Sequence, residues 1–238
     1  MNFKLSGHVT NEIKMNEFSK KDPGREFENY SKISKDCLIS KVPKCFGWKN
    51  GKLYLENLME NFKPICATDI KLGFKSYWDD DNKMSDKIEF VDGSFLTDQE
   101  KETKLLTKCR YMEWRDLSTT TRKYGMRIEG FLFPDGVQRP KHKTFEDVCL
   151  ILDNFNILPK YVIKDIVDQL RDLINTLYKS EFFSTHKFIG VSVLILADKE
   201  KAIVKLIDFL KVMFQENPNN LGVIIGLESL IYALNRLT

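Results

Sequence analysis

Residues 64–73 form the stretch whose residue types and spacing best suit chemistry. The apolar pattern predicts a β-strand, and side chains alternate between the two faces of a strand. Asp69 and Lys71 therefore share one face, while Ile70 and Leu72 face a core. A carboxylate beside an ammonium group suits phosphoryl transfer to an alcohol, because the carboxylate accepts the hydroxyl proton and the lysine neutralises phosphate charge. The alternative interpretation is an edge strand that carries a salt bridge.

A second carboxylate of interest is Asp208. Two apolar runs, residues 191–196 and 203–209, are separated by a charged turn and predict a β-hairpin. Asp208 lies at the end of the second run, on the face predicted for Val204 and Leu206. A carboxylate at the end of a buried strand is costly unless it is paired or binds a metal ion, and the pattern leaves both possibilities open.

A basic segment, residues 122–143, offers a place for an anion. Six cationic side chains against two acidic ones give it a net charge of +4, more than the +3 of the whole chain. Arginine and lysine hold phosphates through charge-assisted hydrogen bonds, so the segment predicts a polyphosphate partner. A solvated basic face is the alternative. A nucleic-acid surface is disfavoured, because Phe131 and Phe133 alternate like the core face of a strand. The basic residues are Arg122, Lys123, Arg127, Arg139, Lys141 and Lys143, with His142 among them.

The composition is that of a soluble globular protein. The chain has 238 residues, long enough for one large domain or two closely packed lobes, and 42% of them are hydrophobic, enough to build a core. Five cysteines without a C-x-x-C pair indicate neither a disulfide framework nor a zinc site, which fits a reducing compartment. The first residues lack the apolar run of a signal peptide, and the longest apolar stretch, residues 189–197, is too short to span a bilayer. We expect a cytoplasmic or nuclear protein.

The elements that must position these residues divide into two predicted lobes, residues 1–62 and 63–238. In the first we predict a strand at residues 9–15, a helix that opens around Pro23 and Arg25, and a hairpin that ends at residues 53–55. In the second we predict a helix that begins at Thr97 with a capping box, an amphipathic helix over residues 159–180, and a final helix over residues 226–237.

Several short motifs together resemble the inositol polyphosphate kinase family. Residues 64–73 match its P-x-x-x-D-x-K-x-G signature, and residues 53–58 resemble its hinge. The resemblance extends in the same order from about residue 7 to residue 230. The other matching pieces are residues 7–8, 25–30, 125–130, 191–194 with Asp198, 207–209 and 226–230.

The resemblance implies an α+β, two-lobed, protein-kinase-like fold with an ATP-grasp-like cleft between the lobes. It also implies a small helical insert, residues 76–122 approximately, that covers the inositol phosphate. Asp69 and Lys71 become the catalytic pair, and Asp208 becomes the Mg²⁺ ligand. The implied ATP-binding residues are Lys14, Glu56, Asn57, Leu58, Ser192 and Asp208, with Lys14 paired to Glu26. The implied substrate-binding residues are Lys71 and Arg127, and Lys141 and Lys143 of the basic segment are the further candidates.

The sequence departs from the family pattern near the metal ligand. Val191 replaces the first serine of an S-S-L-L motif, and Leu210 and Lys211 stand where relatives usually have Ala-His. These changes leave the metal-binding carboxylate in place and alter its surroundings.

The expected function is transfer of the γ-phosphoryl group of ATP to a soluble inositol polyphosphate. We expect a hexakisphosphate kinase that makes a diphosphoinositol phosphate, with ATP and Mg²⁺ as cofactors. The alternative is a multikinase or trisphosphate kinase, and a more remote one is a non-catalytic module that binds inositol phosphates or nucleic acid. We expect a monomer that binds neither nucleic acid nor membranes.

Overall fold

Two antiparallel sheets carry the fold. The computed structural model of this chain describes residues 12–13, 17–60, 65–79, 81–133 and 136–238. Its mixture of helices with antiparallel sheets is the α+β class that the sequence predicts. The predicted lobe boundary at residues 62–63 lies outside the described residues.

The first sheet has four strands in the order β1 (Glu12–Ile13), β2 (Glu17–Lys21), β4 (Lys52–Glu56) and β3 (Cys45–Lys49). Helix α1 (Arg25–Ile33) connects β2 to a 3₁₀ turn, Cys37–Lys41. The helix predicted near Arg25 and the hairpin that ends at residues 53–55 are therefore confirmed. Strand β2 was not predicted, because its sequence, EFSKK, has a single apolar residue.

The second sheet has five strands in the order β12 (Ala202–Ile207), β11 (Ser192–Ala197), β5 (Cys66–Leu72), β8 (Met126–Phe133) and β9 (Gly136–Gln138). Strand β5, the strand predicted to carry Asp69 and Lys71, lies at its centre. The β11–β12 hairpin is the one predicted from the two apolar runs. A bulge in β8 opposite Asp69 and Ile70 shifts the register of the β5–β8 pair.

Shorter elements surround the sheets. The helical insert contains β6 (Met84–Ser85), a 3₁₀ turn (Ile88–Phe90), α2 (Asp98–Thr103), β7 (Leu106–Thr107) and α3 (Lys108–Leu117). The remaining elements are α4 (Thr121–Tyr124), α5 (Phe145–Leu152), a 3₁₀ turn (Asp153–Ile157), α6 (Lys160–Lys179), α7 (Glu181–Thr185), β10 (His186–Lys187), β13 (Met213–Phe214) and α8 (Leu221–Asn235). The capping box predicted for α2 is present between Thr97 and Glu100.

One face of the five-stranded sheet packs on α6 and α8. Ile70 and Leu72 of β5 are fully buried there, as predicted. The same apolar cluster continues to Tyr30 of α1 and Leu53 of β4. The two sheets therefore share one core, and the burial that stabilises the central sheet also fixes α1 against it.

Helix α8 begins five residues before the predicted Gly226 and contains two glycines, which are poor helix formers but allow close packing. A Cβ at Gly226 would lie 2.1 Å from the carbonyl oxygen of Gly125, and a Cβ at Gly222 would lie 2.6 Å from the amide nitrogen of Phe74. The backbone of α8 thus touches the turn before β8 and the segment after β5. These contacts set the depth at which α8 supports the central sheet.

No helix within the described residues combines the length and the apolarity needed to cross a membrane. The five cysteines are free thiols.

Candidate active site

Asp69 and Lys71 lie on the face of the central sheet that is turned away from α6 and α8. Across the strand pair, Lys71 is opposite Ser192 of β11, and Asp69 is opposite Leu194. Asp69 is 2% exposed. The Nζ atom of Lys71 donates to the carbonyl oxygen of Gly190 at 2.9 Å. The strand therefore presents a buried carboxylate beside an anchored ammonium group.

Asp208 joins them from the end of β12. Its Oδ2 atom lies 3.5 Å from Nζ of Lys71, and its Oδ1 atom lies 2.9 Å from Nζ of Lys20. The prediction that Asp208 shares the face of Val204 and Leu206 was wrong. Asp208 follows the strand with φ of +67°, which breaks the alternation and brings its carboxylate to the Lys71 side of the sheet. Burial would raise the pKa of Asp208, but Lys20 and Lys71 outweigh burial and hold it well below its ordinary value.

The lysine paired with Glu26 is Lys20 of β2. Its Nζ atom lies 2.9 Å from Oε1 of Glu26 and bridges that carboxylate to Asp208. We predicted Lys14 for this position, and Lys14 lies outside the described residues. Burial lowers the pKa of Lys20, but the charges of Asp208 and Glu26 give a net upward shift. Lys20 is therefore a permanent cation at the edge of the cleft.

Helix α1 also holds the segment that follows Asp208. The Oε1 atom of Glu26 accepts from the amide of Phe209 at 3.0 Å, and Nδ2 of Asn29 donates to the carbonyl oxygens of Phe209 and Val212 at 2.7 and 3.0 Å. The ring of Tyr30 packs edge-on against Phe209, with 5.3 Å between centroids. Polar residues on the buried face of α1 thus fix the chain direction at Asp208.

A small apolar cluster continues the cleft face beyond Asp69. Ala67, Leu132 and Leu196 form it on three adjacent strands, and Leu58 and Met59 pack against it from the segment after β4. Leu58 belongs to the predicted hinge. This cluster, separate from the main core, offers an apolar floor of the kind that a flat aromatic ring needs.

The other hinge residues make local contacts. The carboxylate of Glu56 accepts from the amide of Lys44 at 3.1 Å, and the side-chain oxygen of Asn57 accepts from the amide of Met59 at 3.1 Å. These bonds shape the turn that follows β4, and the predicted role of these residues in binding ATP stays a prediction.

Ser192 supplies a buried oxygen beside the charged cluster. It is completely buried, and its Oγ atom has no hydrogen-bond partner among the described residues. Its neighbour across β12 is Ile207, the residue before Asp208. A carboxylate and a hydroxyl are oxygen donors of the type that Mg²⁺ prefers, so Asp208 and Ser192 fit as protein ligands of a Mg²⁺–nucleotide complex. Within the described residues, no three His, Cys, Asp or Glu side chains group as a self-sufficient metal centre.

Lys211 is a candidate that sequence reasoning missed. Its Nζ atom donates to the carbonyl oxygen of Ser76 at 2.8 Å. Burial and the positive charges of Lys71 and Lys108 lower the pKa of Lys211 to about 8. Lys71 of β5 and Lys108 of the insert thus both repel Lys211, which indicates a place for a strongly anionic ligand. The only sequence signal was the departure from Ala-His.

The prediction that Arg127 contacts substrate is not supported by its position. The residue is 1% exposed, and its guanidinium group is held by Asp116 at 2.5 Å, by Thr121 at 2.8 Å and by Glu129 at 2.8 and 2.9 Å. Burial raises the pKa of Glu129, but Arg127, Arg115 and Lys71 together lower it to about 2. The guanidinium group of Arg127 is thus fully engaged in a buried ion-pair network beside Lys71.

The rest of the basic segment separates into different environments. Lys141 and Lys143 are exposed on the loop between β9 and α5, and their roles in substrate binding stay predictions. His142 is buried, and its Nε2 atom accepts from the amide of Ile128 at 3.1 Å, beside the bulge in β8. Burial lowers the pKa of His142, so it serves the sheet as a neutral acceptor and adds no charge to a basic patch.

The motif order and this geometry agree with a comparison against known families. The family model described as "Inositol polyphosphate kinase" matches residues 52–235. The chain belongs to this family.

Curated relatives include inositol-trisphosphate 3-kinase B of Homo sapiens, 31% identical over 220 residues, which cover 80% of this chain and 23% of that protein. Inositol-trisphosphate 3-kinase A of Homo sapiens is 29% identical over 87% of this chain and 52% of its own length. An inositol-trisphosphate 3-kinase homolog of Caenorhabditis elegans is 28% identical over 90% and 49%. The chain thus spans between about a quarter and a half of the length of these relatives.

Solved structures show the same fold. An inositol phosphate multikinase of S. cerevisiae, in complex with ADP and Mn²⁺, superimposes with a TM-score of 0.67 at 19% identity and covers 93% of this chain and 98% of its own. A second inositol phosphate multikinase structure gives a TM-score of 0.60 at 19% identity, over 90% and 99%. The two-lobed kinase-like fold predicted from the sequence is confirmed.

Proposed function

We propose that this protein transfers the γ-phosphoryl group of ATP to a hydroxyl group of a soluble inositol polyphosphate of low phosphate number, as a trisphosphate kinase or multikinase would. The observation that carries the proposal is the convergence of Lys20 and Lys71 on Asp208 beside the buried Asp69. A binding module would need cations for phosphate, but it would have no use for a buried proton acceptor or a carboxylate suited to a metal ion.

The choice of acceptor rests on the relatives. Those named above are inositol-trisphosphate 3-kinases, and the structural neighbours are multikinases. They favour the alternative over the hexakisphosphate kinase that we first expected. An acceptor with free ring hydroxyls also gives Asp69 a proton to accept, whereas a fully phosphorylated ring offers only phosphate oxygens.

In the proposed reaction the acceptor hydroxyl lies against Asp69, which accepts its proton as the hydroxyl oxygen bonds to the γ-phosphorus and the bond to the ADP oxygen breaks. Lys71 and Lys20 stabilise the negative charge on the transferring group because their ammonium groups are already positioned and need little reorganisation. Asp208 and Ser192 would hold Mg²⁺, which would neutralise part of the charge of the ATP phosphates. The apolar cluster with Leu58 and Met59 receives the adenine ring.

The basic pocket at the insert supports the polyphosphate character of the acceptor. Lys71, Lys108 and Lys211 come from three different elements, and the repulsion that Lys71 and Lys108 exert on Lys211 is relieved when a ligand brings several phosphates. Lys141 and Lys143 lie farther along the chain as exposed charges, where contact with a phosphate contributes less than from a desolvated group.

The test is incubation of the protein with Mg²⁺-ATP and a panel of inositol tris-, tetrakis- and hexakisphosphates, with products separated by charge. We expect the highest kcat/KM for a trisphosphate or tetrakisphosphate, and no product from Asp208→Asn. A preference for the hexakisphosphate would restore our first expectation. Tight binding of the panel with no transfer to any member would identify a non-catalytic binding module.

A further inference from the structure

Ser76 and Asp116 form a buried joint between the catalytic strand and the insert. The Oδ2 atom of Asp116 accepts from the amide of Ser76 at 2.8 Å, and its Oδ1 atom accepts from Oγ of Ser76 at 2.7 Å. Asp116 is 0% exposed and Ser76 is 1% exposed. Ser76 follows β5 by four residues and Asp116 lies in α3, so a single carboxylate ties the insert to the exit of the strand that carries Asp69.

The joint extends to the lysines of the basic pocket. The carbonyl oxygen of Ser76 accepts from Nζ of Lys211, and the carbonyl oxygen of Gly190 accepts from Nζ of Lys71. These two backbone segments touch, since a Cβ added at Gly190 would lie 3.2 Å from the carbonyl oxygen of Ser76. The ammonium groups of Lys71 and Lys211 therefore donate to neighbouring carbonyl oxygens. One of these, the carbonyl oxygen of Ser76, belongs to the residue that Asp116 holds.

Pairing with Arg127 accounts for only part of what Asp116 does, although its Oδ1 atom accepts from Nη1 of Arg127 at 2.5 Å. Glu129 already accepts two hydrogen bonds from the same guanidinium group, at 2.8 and 2.9 Å, and itself lies on the partly accessible flank of the network. Asp116 also accepts two hydrogen bonds from Ser76, and the carbonyl oxygen of Ser76 is the acceptor for Lys211.

We propose that Asp116 is a positioning residue for the acceptor: it fixes the carbonyl oxygen of Ser76, and through it the ammonium group of Lys211, beside Lys71 in the basic pocket. The proposal rests on the proposed function where it names an inositol polyphosphate as the ligand. The charged groups that face Lys211 are Lys71 of β5, Lys108 of α3, Asp81 of the insert and Asp116 itself.

The kinetic test compares Asp116→Asn with Ser76→Ala and with the control Asp168→Asn, an exposed aspartate on α6 paired with Arg171. We expect Asp116→Asn to raise KM for the inositol phosphate about tenfold while KM for ATP stays within about twofold, since a lost charged hydrogen bond changes affinity by about tenfold or more. Ser76→Ala keeps its amide bond and its carbonyl, so its acceptor KM should rise only about threefold. The control should match the wild type.

An equal rise of KM for ATP and acceptor in folded Asp116→Asn, or no rise in either, would overturn the proposal. If Asp116→Asn does not fold, Ser76→Ala decides: a raised acceptor KM with unchanged KM for ATP supports the proposal, and an unchanged acceptor KM overturns it.

A second measurement does not depend on the reaction. Lysines labelled by reductive ¹³C-methylation are titrated by NMR, with the Lys211 resonance assigned by its loss in Lys211→Arg. Because the Asp116 carboxylate raises the pKa of Lys211, Asp116→Asn should lower the titration midpoint of that resonance, and Asp168→Asn should not. An unchanged midpoint in Asp116→Asn counts against the proposal. If the wild type phosphorylates no inositol phosphate, the proposed function fails, while this titration still tests whether the Asp116 carboxylate lies beside the ammonium group of Lys211.

Discussion

Replacing Lys20 with methionine should destabilise the fold by about 3 kcal/mol at pH 7, because it removes the cation that pairs with the buried carboxylate of Glu26. The Glu26 side chain is 3% exposed and lies 2.9 Å from Nζ of Lys20. At an effective dielectric constant of about 20 the lost attraction is roughly 6 kcal/mol, which the released desolvation of Lys20 partly offsets. Asp208 loses the same cation, but its side chain is 38% exposed and keeps Lys71, so solvent and Lys71 reduce its share of the loss.

The loss should depend on pH in a defined direction. Burial already raises the pKa of Glu26, and Lys20 is the main influence that lowers it, so the pKa of Glu26 rises further in Lys20→Met. A carboxyl group whose folded pKa is raised costs stability in full above that folded pKa, and the cost shrinks as the pH falls from the folded pKa toward the unfolded one. The deficit of Lys20→Met should therefore shrink between pH 7 and pH 5. It should also shrink in the double variant Lys20→Met/Glu26→Gln.

The assay is urea denaturation followed by tryptophan fluorescence, with Lys41→Met as the matched control. Lys41 pairs with Asp172, whose side chain is 65% exposed, so its loss should cost about 0–1 kcal/mol. The reasoning is refuted if Lys20→Met costs no more than Lys41→Met, or if Glu26→Gln fails to recover stability in the double variant.

Three further predictions concern turnover. Asp69→Asn should lower kcat by about 10²- to 10⁴-fold with little change in KM for ATP, and a main effect on ATP affinity would show that Asp69 is misassigned. Asp208→Asn should leave less than about a tenth of wild-type kcat at saturating Mg²⁺, with the far-ultraviolet circular dichroism preserved; greater activity would remove Asp208 as the metal ligand. Lys211→Met should raise the acceptor KM and flatten the alkaline limb of kcat/KM. Burial with Lys71 and Lys108 lowers the pKa of Lys211 to about 8, so the wild type loses this cation as the pH rises through about 8. A pH profile identical to that of the wild type would exclude this role.

The local sequence determined which side chains of the site share a strand face and where several elements begin. Asp69 and Lys71 share a face because strand alternation requires it, and the burial of Ile70 and Leu72 fixes which face that is. The helix near Arg25, the capped helix after Thr97 and the β11–β12 hairpin followed from capping and turn signals in the same way. The motif order was sufficient to place the chain in its family.

Only the tertiary structure decided which charged residues meet. Lys20 pairs with Glu26 because β2, held against β4, brings its ammonium group to the carboxylates of both Glu26 and Asp208. Arg127 looked like a substrate ligand among other basic residues, yet α3 of the insert supplies Asp116 and buries it. The role of Lys211 could not be recognised from the sequence, because the groups around its ammonium come from three distant segments.

The direction of the Asp208 side chain also depends on the tertiary structure, through a single backbone dihedral angle. Its place at the end of an apolar run was readable, but the φ of +67° that turns its carboxylate to Lys71 is imposed by contacts of Glu26 and Asn29 with Phe209 and Val212. Periodicity is a property of neighbouring residues and can be read along the chain. The partner of a charge is set by packing between residues as much as 188 positions apart, and only the folded chain brings those residues together.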